Sequence, residues 1–209
     1  MVVGVCPAYL PNIYYMAWMV SQKKVFLITD NPYQKQTFRN RTEIYGANGK
    51  LKLTIPIIHT KTQRRQLDNS VAIQYDNSWQ KDHWKSLEAA YRSSPFFEFY
   101  EDEFYPFYHQ KFEKLMDFNI NLIKKILSIL GAFVSLHKNE KTINEFTDLI
   151  IAKHNFKREN PHYQQVFQYK HGFINNLSVL DLLFNLGPQS LEYLEQVKTD
   201  FISTRVMQK

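Results

Sequence analysis

The sequence predicts an α/β fold, in which a small, mainly parallel N-terminal sheet with a β-hairpin precedes a largely helical C-terminal half. Two short apolar runs, VVGV and VFLITD, flank an apolar helical segment. The Asn48-Gly49 pair separates two segments rich in strand-forming residues, and from Ser78 onward apolar residues recur at helical spacing. Together these observations predict the order of sheet, hairpin and helices.

The N-terminal segment has the pattern of one βαβ unit. VVGV spans 2–5, and Pro7 and Pro11 exclude a helix directly after it. IYYMAWMV at 13–20 predicts a buried helix, and VFLITD at 25–30 predicts the second strand. Such crossovers are right-handed with parallel strands, and ligands gather at the carboxyl ends of those strands. The loop PAYLP and the segment TDNPYQ should therefore lie side by side.

A hairpin is predicted after the βαβ unit, in the stretch QTFRNRTEIYGANGK and the strand that follows it. The Asn48-Gly49 pair suits a type I′ turn, which needs φ > 0 at both central positions. Arg39 and Arg41 enter or precede the first hairpin strand. If that strand begins early, their two-residue spacing puts both guanidiniums on one face.

The segment HTKTQRRQLDNS, at 59–70, is polar and lacks apolar periodicity, so we interpret it as a solvated connection. An amphipathic helix follows from 76–78, and its apolar face is made by Trp79, His83, Leu87, Ala90 and Tyr91. The aromatic segment from Phe96 to Tyr108 has too irregular a period to predict one long helix, and we expect it to wrap one end of the core.

Apolar spacing predicts further helices that end at Gly131 and Gly187, with Pro188 in the first turn of the last helix. TINEFTDLIIAKH is open between helix and strand. We expect a single domain over 1–209, with the α/β part at 1–76 and the mainly helical part at 77–209.

Composition and charge narrow the class of protein. Hydrophobic residues make up 44% and charged residues 22%, which is the profile of a globular chain. The net charge of +6 favours acidic ligands but falls short of a nucleic-acid signature. The chain has a single cysteine, no apolar run of roughly 18 to 20 residues and no secretion signal. Together these features predict a cytoplasmic protein without a membrane span.

The usual signature motifs of metal and phosphate sites are absent from the sequence. It contains no HExxH and no paired CxxC, so we expect no metal site. A Walker loop and a GxGxxG are also absent, and no residue pattern identifies a cofactor.

Five side chains are candidates for chemistry. Cys6 ends the first strand and is either a nucleophile or a small buried hydrophobe. His83 is either a core histidine or a general acid–base group. Asp30 ends the second strand and should face the ligand crevice. Arg39 and Arg41 either bind a phosphate or carboxylate or form a solvated strand edge.

Read together, these segments resemble the WbqC-like protein family over nearly the whole chain. The resemblance is carried by PAYLP, an acidic strand end followed by Gln34, FRNR, LTIPI, NSWQKDHWKSLEAAYRSSPFF and NLSVLDLLFNLGPQSLEYL. The opening departs from the family pattern, because Val5 and Cys6 stand where a His-Gln pair commonly precedes the first proline. Asp30 and Asn31 likewise replace the usual pair of acids after the second strand.

The resemblance implies a group-transfer function, acyl- or sugar-modifying, on a nucleotide-linked sugar in bacterial surface-polysaccharide biosynthesis. In that hypothesis Arg39 and Arg41 bind the phosphates, and Asp30 or His83 takes the proton. The substrate contacts are expected from Tyr9, which would stack on the base or sugar, and from Gln34 and Asn40.

Two other functions are compatible with the sequence. A non-catalytic scaffold would recruit a glycan-biosynthesis enzyme through the aromatic segment from Phe96 to Tyr108. A single-stranded nucleic-acid binder would use basic and aromatic residues, and its affinity would collapse with salt.

Overall fold

The computed structural model describes residues 3–59, 66–138, 145–147, 149–152, 159–202 and 204–206. The strands are β1 (Val3–Val5), β2 (Lys24–Leu27), β3 (Arg41–Gly46), β4 (Gly49–Thr54), β5 (Ile57–Ile58), β6 (Ala72–Ile73), β7 (Ser135–Lys138), β8 (Glu145–Thr147) and β9 (Thr204–Val206). The α-helices are α1 (Ile13–Val20), α2 (Trp79–Tyr91), α3 (Phe97–His109), α4 (Leu115–Leu130), α5 (Gln168–His171), α6 (Val179–Leu186) and α7 (Ser190–Gln196).

The main sheet has the strand order β7-β2-β1-β8-β9. β7, β2, β1 and β8 are parallel, and β9 is antiparallel to β8. Val5 pairs in register with both Leu27 and Thr147, so the carboxyl ends of three strands meet at one edge. The predicted parallel pairing of the first two strands is confirmed. Three of the strands come from the second half of the chain, where the sequence indicated a strand only as one alternative for TINEFTDLIIAKH.

The predicted hairpin is confirmed as β3 and β4, but its turn differs from the expected one. Gly46 pairs with Gly49, so the turn residues are Ala47 and Asn48. A type I′ turn at Asn48-Gly49 is wrong, because Gly49 has a positive φ of 93° and Asn48 does not have a positive φ. Arg41 is the first residue of β3 and Arg39 lies before it, so the strand does not begin early enough to carry both guanidiniums on one face.

The helical half is confirmed, and its predicted ends match the structure closely. The expected apolar face of α2 is buried in full. α4 ends at Gly131, which adopts the left-handed conformation with φ 68°, and α6 ends at Gly187. The described part of TINEFTDLIIAKH contains the strand β8, and the rest lies partly outside the described residues.

α3 is one continuous helix, where the sequence predicted none. Phe97, Phe104, Phe107 and Tyr108 form its buried face. Aromatic residues on the opposite face, including Phe99 and Tyr105, hid this periodicity in the sequence. None of the helices in the described ranges combines the length and apolarity needed to cross a bilayer.

Candidate active site at the carboxyl edge of the sheet

Two chain segments run alongside each other beyond the carboxyl end of β2. The Asn69 amide donates to the Thr29 carbonyl at 2.6 Å, and the Asp68 amide donates to the Asn31 carbonyl at 2.9 Å. Closer to the hairpin, the Tyr33 amide donates to the carbonyl of residue 66 at 2.8 Å. This backbone pairing carries Asp68 to the edge where the first two strands end.

Asp68 is the centre of a buried polar cluster at this edge. Its Oδ1 lies 2.8 Å from Arg39 Nε, and its Oδ2 accepts from the Cys6 thiol at 3.4 Å. All three side chains are buried. Burial raises the pKa of Asp68, and the Arg39 charge opposes that rise. The sequence interpretation of 59–70 as a solvated connection is wrong for Asp68, while residues 60–65 lie outside the described residues.

Cys6 serves this cluster as a hydrogen-bond donor. Burial raises the pKa of the Cys6 thiol far above its ordinary value, and the positive charge of Arg39 only partly offsets this. A nucleophilic cysteine needs a thiolate, which low-dielectric surroundings disfavour. The environment therefore favours the small, buried, protonated thiol of the two sequence alternatives.

Arg41 and Tyr33 border the same cluster. Arg41 is half-buried, and its Nε is buried without a hydrogen-bond partner. The Tyr33 side chain is also half-buried and interacts electrostatically with Arg39, Arg41, Asp68 and Cys6. Burial raises the pKa of Tyr33 to about 12, and the two arginines oppose that rise. The Tyr33 hydroxyl is therefore protonated at neutral pH.

Asp30 and Gln34 are exposed on the segment that follows β2. Asp30 precedes Asn31, whose carbonyl accepts from the Asp68 amide, and the Asp30 charge adds to the rise in the pKa of Asp68 that burial causes. Gln34 begins a turn in which the Thr37 hydroxyl donates to the Gln34 carbonyl at 3.0 Å. Both side chains are accessible to a ligand from solvent.

Tyr9 and His83 are buried and hydrogen-bonded to each other behind this edge. The Tyr9 hydroxyl lies 2.9 Å from His83 Nδ1 and 3.0 Å from the Tyr108 hydroxyl. Burial lowers the pKa of His83 to about 4, and a hydrogen bond to the Thr54 carbonyl opposes this. His83 is neutral at pH 7, so a proton on Nε2 leaves Nδ1 as the acceptor for Tyr9. Tyr9 is 0% exposed and has no face open to a ligand.

Two buried asparagines hold the backbone around the arginines. Asn40 Nδ2 donates to the Ile55 carbonyl at 2.9 Å. Asn119 Nδ2, from α4, donates to the Pro7 carbonyl at 3.1 Å and to the Arg39 carbonyl at 2.7 Å. Asn119 thereby ties the loop after β1 to the strand entry that carries Arg39.

The structure brings most of the predicted residues to one region and adds others. The charged residues lie at or near the sheet edge, namely Arg39, Arg41 and Asp30. Tyr9 and His83 are buried in the protein behind that edge. Sequence reasoning missed Asp68, Tyr33 and Asn119. An asparagine within the apolar stripe of α4 was a usable signal, since buried amides are normally hydrogen-bonded. Within the described ranges, no three His, Cys, Asp or Glu side chains cluster as metal ligands.

Comparison with known proteins agrees with the sequence resemblance. The sequence model of the WbqC-like protein family matches residues 6–153 and 142–193. The chain is also 25% identical over 225 residues to the uncharacterized protein Rv1507c of Mycobacterium tuberculosis, covering 89% of this chain and 94% of that protein. No solved structure gives a significant match.

Proposed function

Because the chain belongs to the WbqC-like protein family, we propose that it is a cytoplasmic group-transfer enzyme that modifies a nucleotide-linked sugar in bacterial surface-polysaccharide biosynthesis. The observation that carries the proposal is Arg41, which lies two residues from the Arg39 that pairs with Asp68 at the carboxyl edge of the parallel sheet. Its Nε is buried without a hydrogen-bond partner, and it forms no ion pair with the residues that the structure describes. A guanidinium without a carboxylate partner at such an edge suits a phosphate.

The two arginines have different roles in this proposal. Asp68 neutralises Arg39 within the protein, so Arg39 supports the site from behind. Arg41, which pairs with no carboxylate among the described residues, contacts the phosphate directly. Gln34 lies on the exposed rim and reaches the sugar, while Asn40 holds the backbone between the arginines. Tyr9 and His83 keep the wall behind the site in place.

The transfer that fits these groups uses an acyl thioester as the donor and an amino or hydroxy group of the sugar as the acceptor. The sugar nitrogen or oxygen attacks the acyl carbonyl, so a C–N or C–O bond forms and the C–S bond breaks. The Asp30 carboxylate takes the proton of the attacking group and returns it to the departing thiolate. Asp30 is assigned this role because it is exposed beside the cluster, whereas His83 is enclosed.

A product assay tests the proposal. Purified protein is incubated with nucleotide-linked amino or hydroxy sugars and coenzyme A thioesters, and the mass of the sugar product is measured by mass spectrometry. We expect a mass increase of one acyl group, and a loss of about a hundredfold in kcat/KM for Arg41→Gln, because the charged hydrogen bonds to phosphate are removed. Arg92→Gln is the matched control, since Arg92 is exposed and pairs with Glu88 on α2.

The absence of product across the panel, from protein with a cooperative unfolding transition, would overturn the enzyme proposal. Equal activity in wild type and Arg41→Gln would contradict the proposed contact between Arg41 and the phosphate. Either result is read against the Arg92→Gln control.

The exposed face of α3 favours a second candidate function, in which the protein recruits a glycan-biosynthesis enzyme. Phe99 is 76% and Tyr105 46% exposed, although neighbouring aromatics such as Phe104 are buried. Exposed aromatics are common anchors of protein interfaces. This candidate predicts that Phe99→Ser weakens binding to a purified partner enzyme, whereas Phe133→Ser, at a fully exposed site beyond α4, leaves it unchanged.

A further inference from the structure

We propose that a groove between α1 and α7 is a binding site for a small zwitterion that carries an apolar group, such as an amino acid with an apolar side chain. The groove has a volume of about 500 Å³, which lies within the range of roughly 300 to 1,000 Å³ for small-molecule sites. None of its lining residues belongs to the candidate active site, and the inference does not depend on the proposed transfer activity.

The groove lies at the opposite end of the main sheet from the candidate active site. α1 begins after the carboxyl end of β1 and ends before the amino end of β2, and these two strands are parallel. The groove is lined by the last turn of α1, the end of α7 and the residues that follow α7. A ligand in the groove would therefore leave the Asp68 cluster free.

The lining of the groove combines an apolar floor with charges of both signs. The floor includes aliphatic side chains from both helix ends, namely Val20, Leu194 and Val197. Three charged side chains are exposed at the rim, namely Glu195, Lys198 and Asp200. A ligand that matches this lining has an apolar body with a positive and a negative group.

The rim charges are open to a ligand. Neither Glu195 nor Lys198 forms an ion pair with the residues that the structure describes. Lys198 can bind a carboxylate, while Glu195 and Asp200 can bind an ammonium group. α1 has no basic residue in its last turn, so the partial negative charge of its last carbonyls also favours the ammonium group. A ligand with a single charge would leave one sign of the rim unmatched.

Calorimetry on the whole protein tests the site with probes that differ by one group. Phenylalanine carries all three features, phenylalaninamide lacks the carboxylate, phenylpropionate lacks the ammonium group, and glycine lacks the apolar group. We expect phenylalanine to bind most tightly. Removing either charge should weaken binding by about threefold to fivefold, because both charges lie at an exposed rim. Glycine should bind at least about tenfold more weakly, because it cannot cover the aliphatic floor.

Two variants assign each charge of the ligand to its partner. Lys198→Met should lower the affinity for phenylalanine but not the affinity for phenylalaninamide, which has no carboxylate. Glu195→Gln should lower the affinity for phenylalanine but not the affinity for phenylpropionate, which has no ammonium group. Lys85→Met on α2 and Glu192→Gln on α7 are the matched controls, because both residues are exposed and lie outside the groove.

Three results would overturn the proposal. The first is wild-type protein with a cooperative unfolding transition that binds no apolar probe at millimolar concentration. The second is tighter binding of phenylalaninamide or phenylpropionate than of phenylalanine, because the site would then select a single charge. The third is an unchanged affinity for phenylalanine in both Lys198→Met and Glu195→Gln.

Discussion

Asp68 and Asp181 are both fully buried, yet one has a cation as its partner and the other has only neutral donors. Asp68 lies 2.8 Å from Arg39 Nε at the edge of the sheet. Asp181, in the first turn of α6, accepts from the Tyr163 hydroxyl at 2.5 Å and from Gln165 Nε2 at 2.9 Å. Burial raises the pKa of Asp181 to about 6, and these donors oppose the rise.

The difference shows two ways in which the fold accommodates a buried carboxylate. Burying a carboxylate destabilises a protein unless an opposite charge compensates it or the carboxyl group becomes protonated. At the sheet edge, the Arg39 guanidinium compensates the charge of the buried Asp68 carboxylate. At α6, the Tyr163 hydroxyl and the Gln165 amide connect the segment before this helix to Asp181. No cation among the described residues compensates this carboxylate, and burial raises its pKa.

Removing Asp68 should give the largest effect, because it leaves the Arg39 guanidinium buried and unpaired. We expect Asp68→Ala to lower the free energy of unfolding by about 3 to 5 kcal/mol. Urea denaturation measures it, with Asp102→Ala on the exposed face of α3 as the control. If the charge pair is the cause, the Arg39→Met/Asp68→Leu double variant recovers most of the loss. A loss below about 1 kcal/mol would contradict the pairing.

Asp181 should make the stability of the fold fall as the pH rises, because burial raises its pKa. Its folded pKa of about 6 lies above the unfolded value. Its contribution is therefore full below about pH 4 and is lost as the pH rises through about 6. The unfolding free energy of wild type relative to Asp181→Asn should fall by on the order of 2 to 3 kcal/mol over that range.

Denaturation curves for the two proteins between pH 4 and pH 8, roughly the window set by these values, check this prediction. Taking the difference cancels other titrating groups, including His83, whose lowered pKa acts in the opposite direction. A flat difference across the range would mean that Asp181 is ionised in the native state at all these pH values.

Tyr163 should have a smaller effect through the same carboxylate. Tyr163→Phe removes one donor to Asp181, so we expect a loss of about 1 to 2 kcal/mol at neutral pH. Gln165 and Tyr91 then remain as donors to Asp181, and the pKa of Asp181 should rise further. Tyr169→Phe, on an exposed side chain, is the control. Equal stability of the two variants would show that the short contact contributes nothing.

Much of the fold was predictable because it rests on local signals. The two strands around α1, the hairpin and the glycine ends of α4 and α6 each follow from short patterns. The strands β7 and β8 were not predictable in position, because parallel pairing with β2 and β1 joins residues more than a hundred positions apart. Nothing in a short strand of the sequence specifies such a partner.

The site was predictable in part for the same reason. Arg41 was visible from its place at the head of a hairpin strand. Asp68 was not, because it lies in a polar segment whose pattern is typical of solvent-exposed loops, and its burial depends on pairing with the segment after β2. The enclosure of Tyr9 also depends on distant helices, which supply His83 and Tyr108.

Cys6 should have the smallest effect, and it tests whether Arg39 alone compensates Asp68. The thiol donates a weak hydrogen bond at 3.4 Å, so Cys6→Ala should cost about 1 kcal/mol. Because burial raises the pKa of this thiol, a maleimide reagent should label it only as fast as the protein unfolds. Rapid labelling of folded protein would contradict its burial. A loss as large as that of Asp68→Ala would mean that the carboxylate depends on the thiol as much as on the arginine.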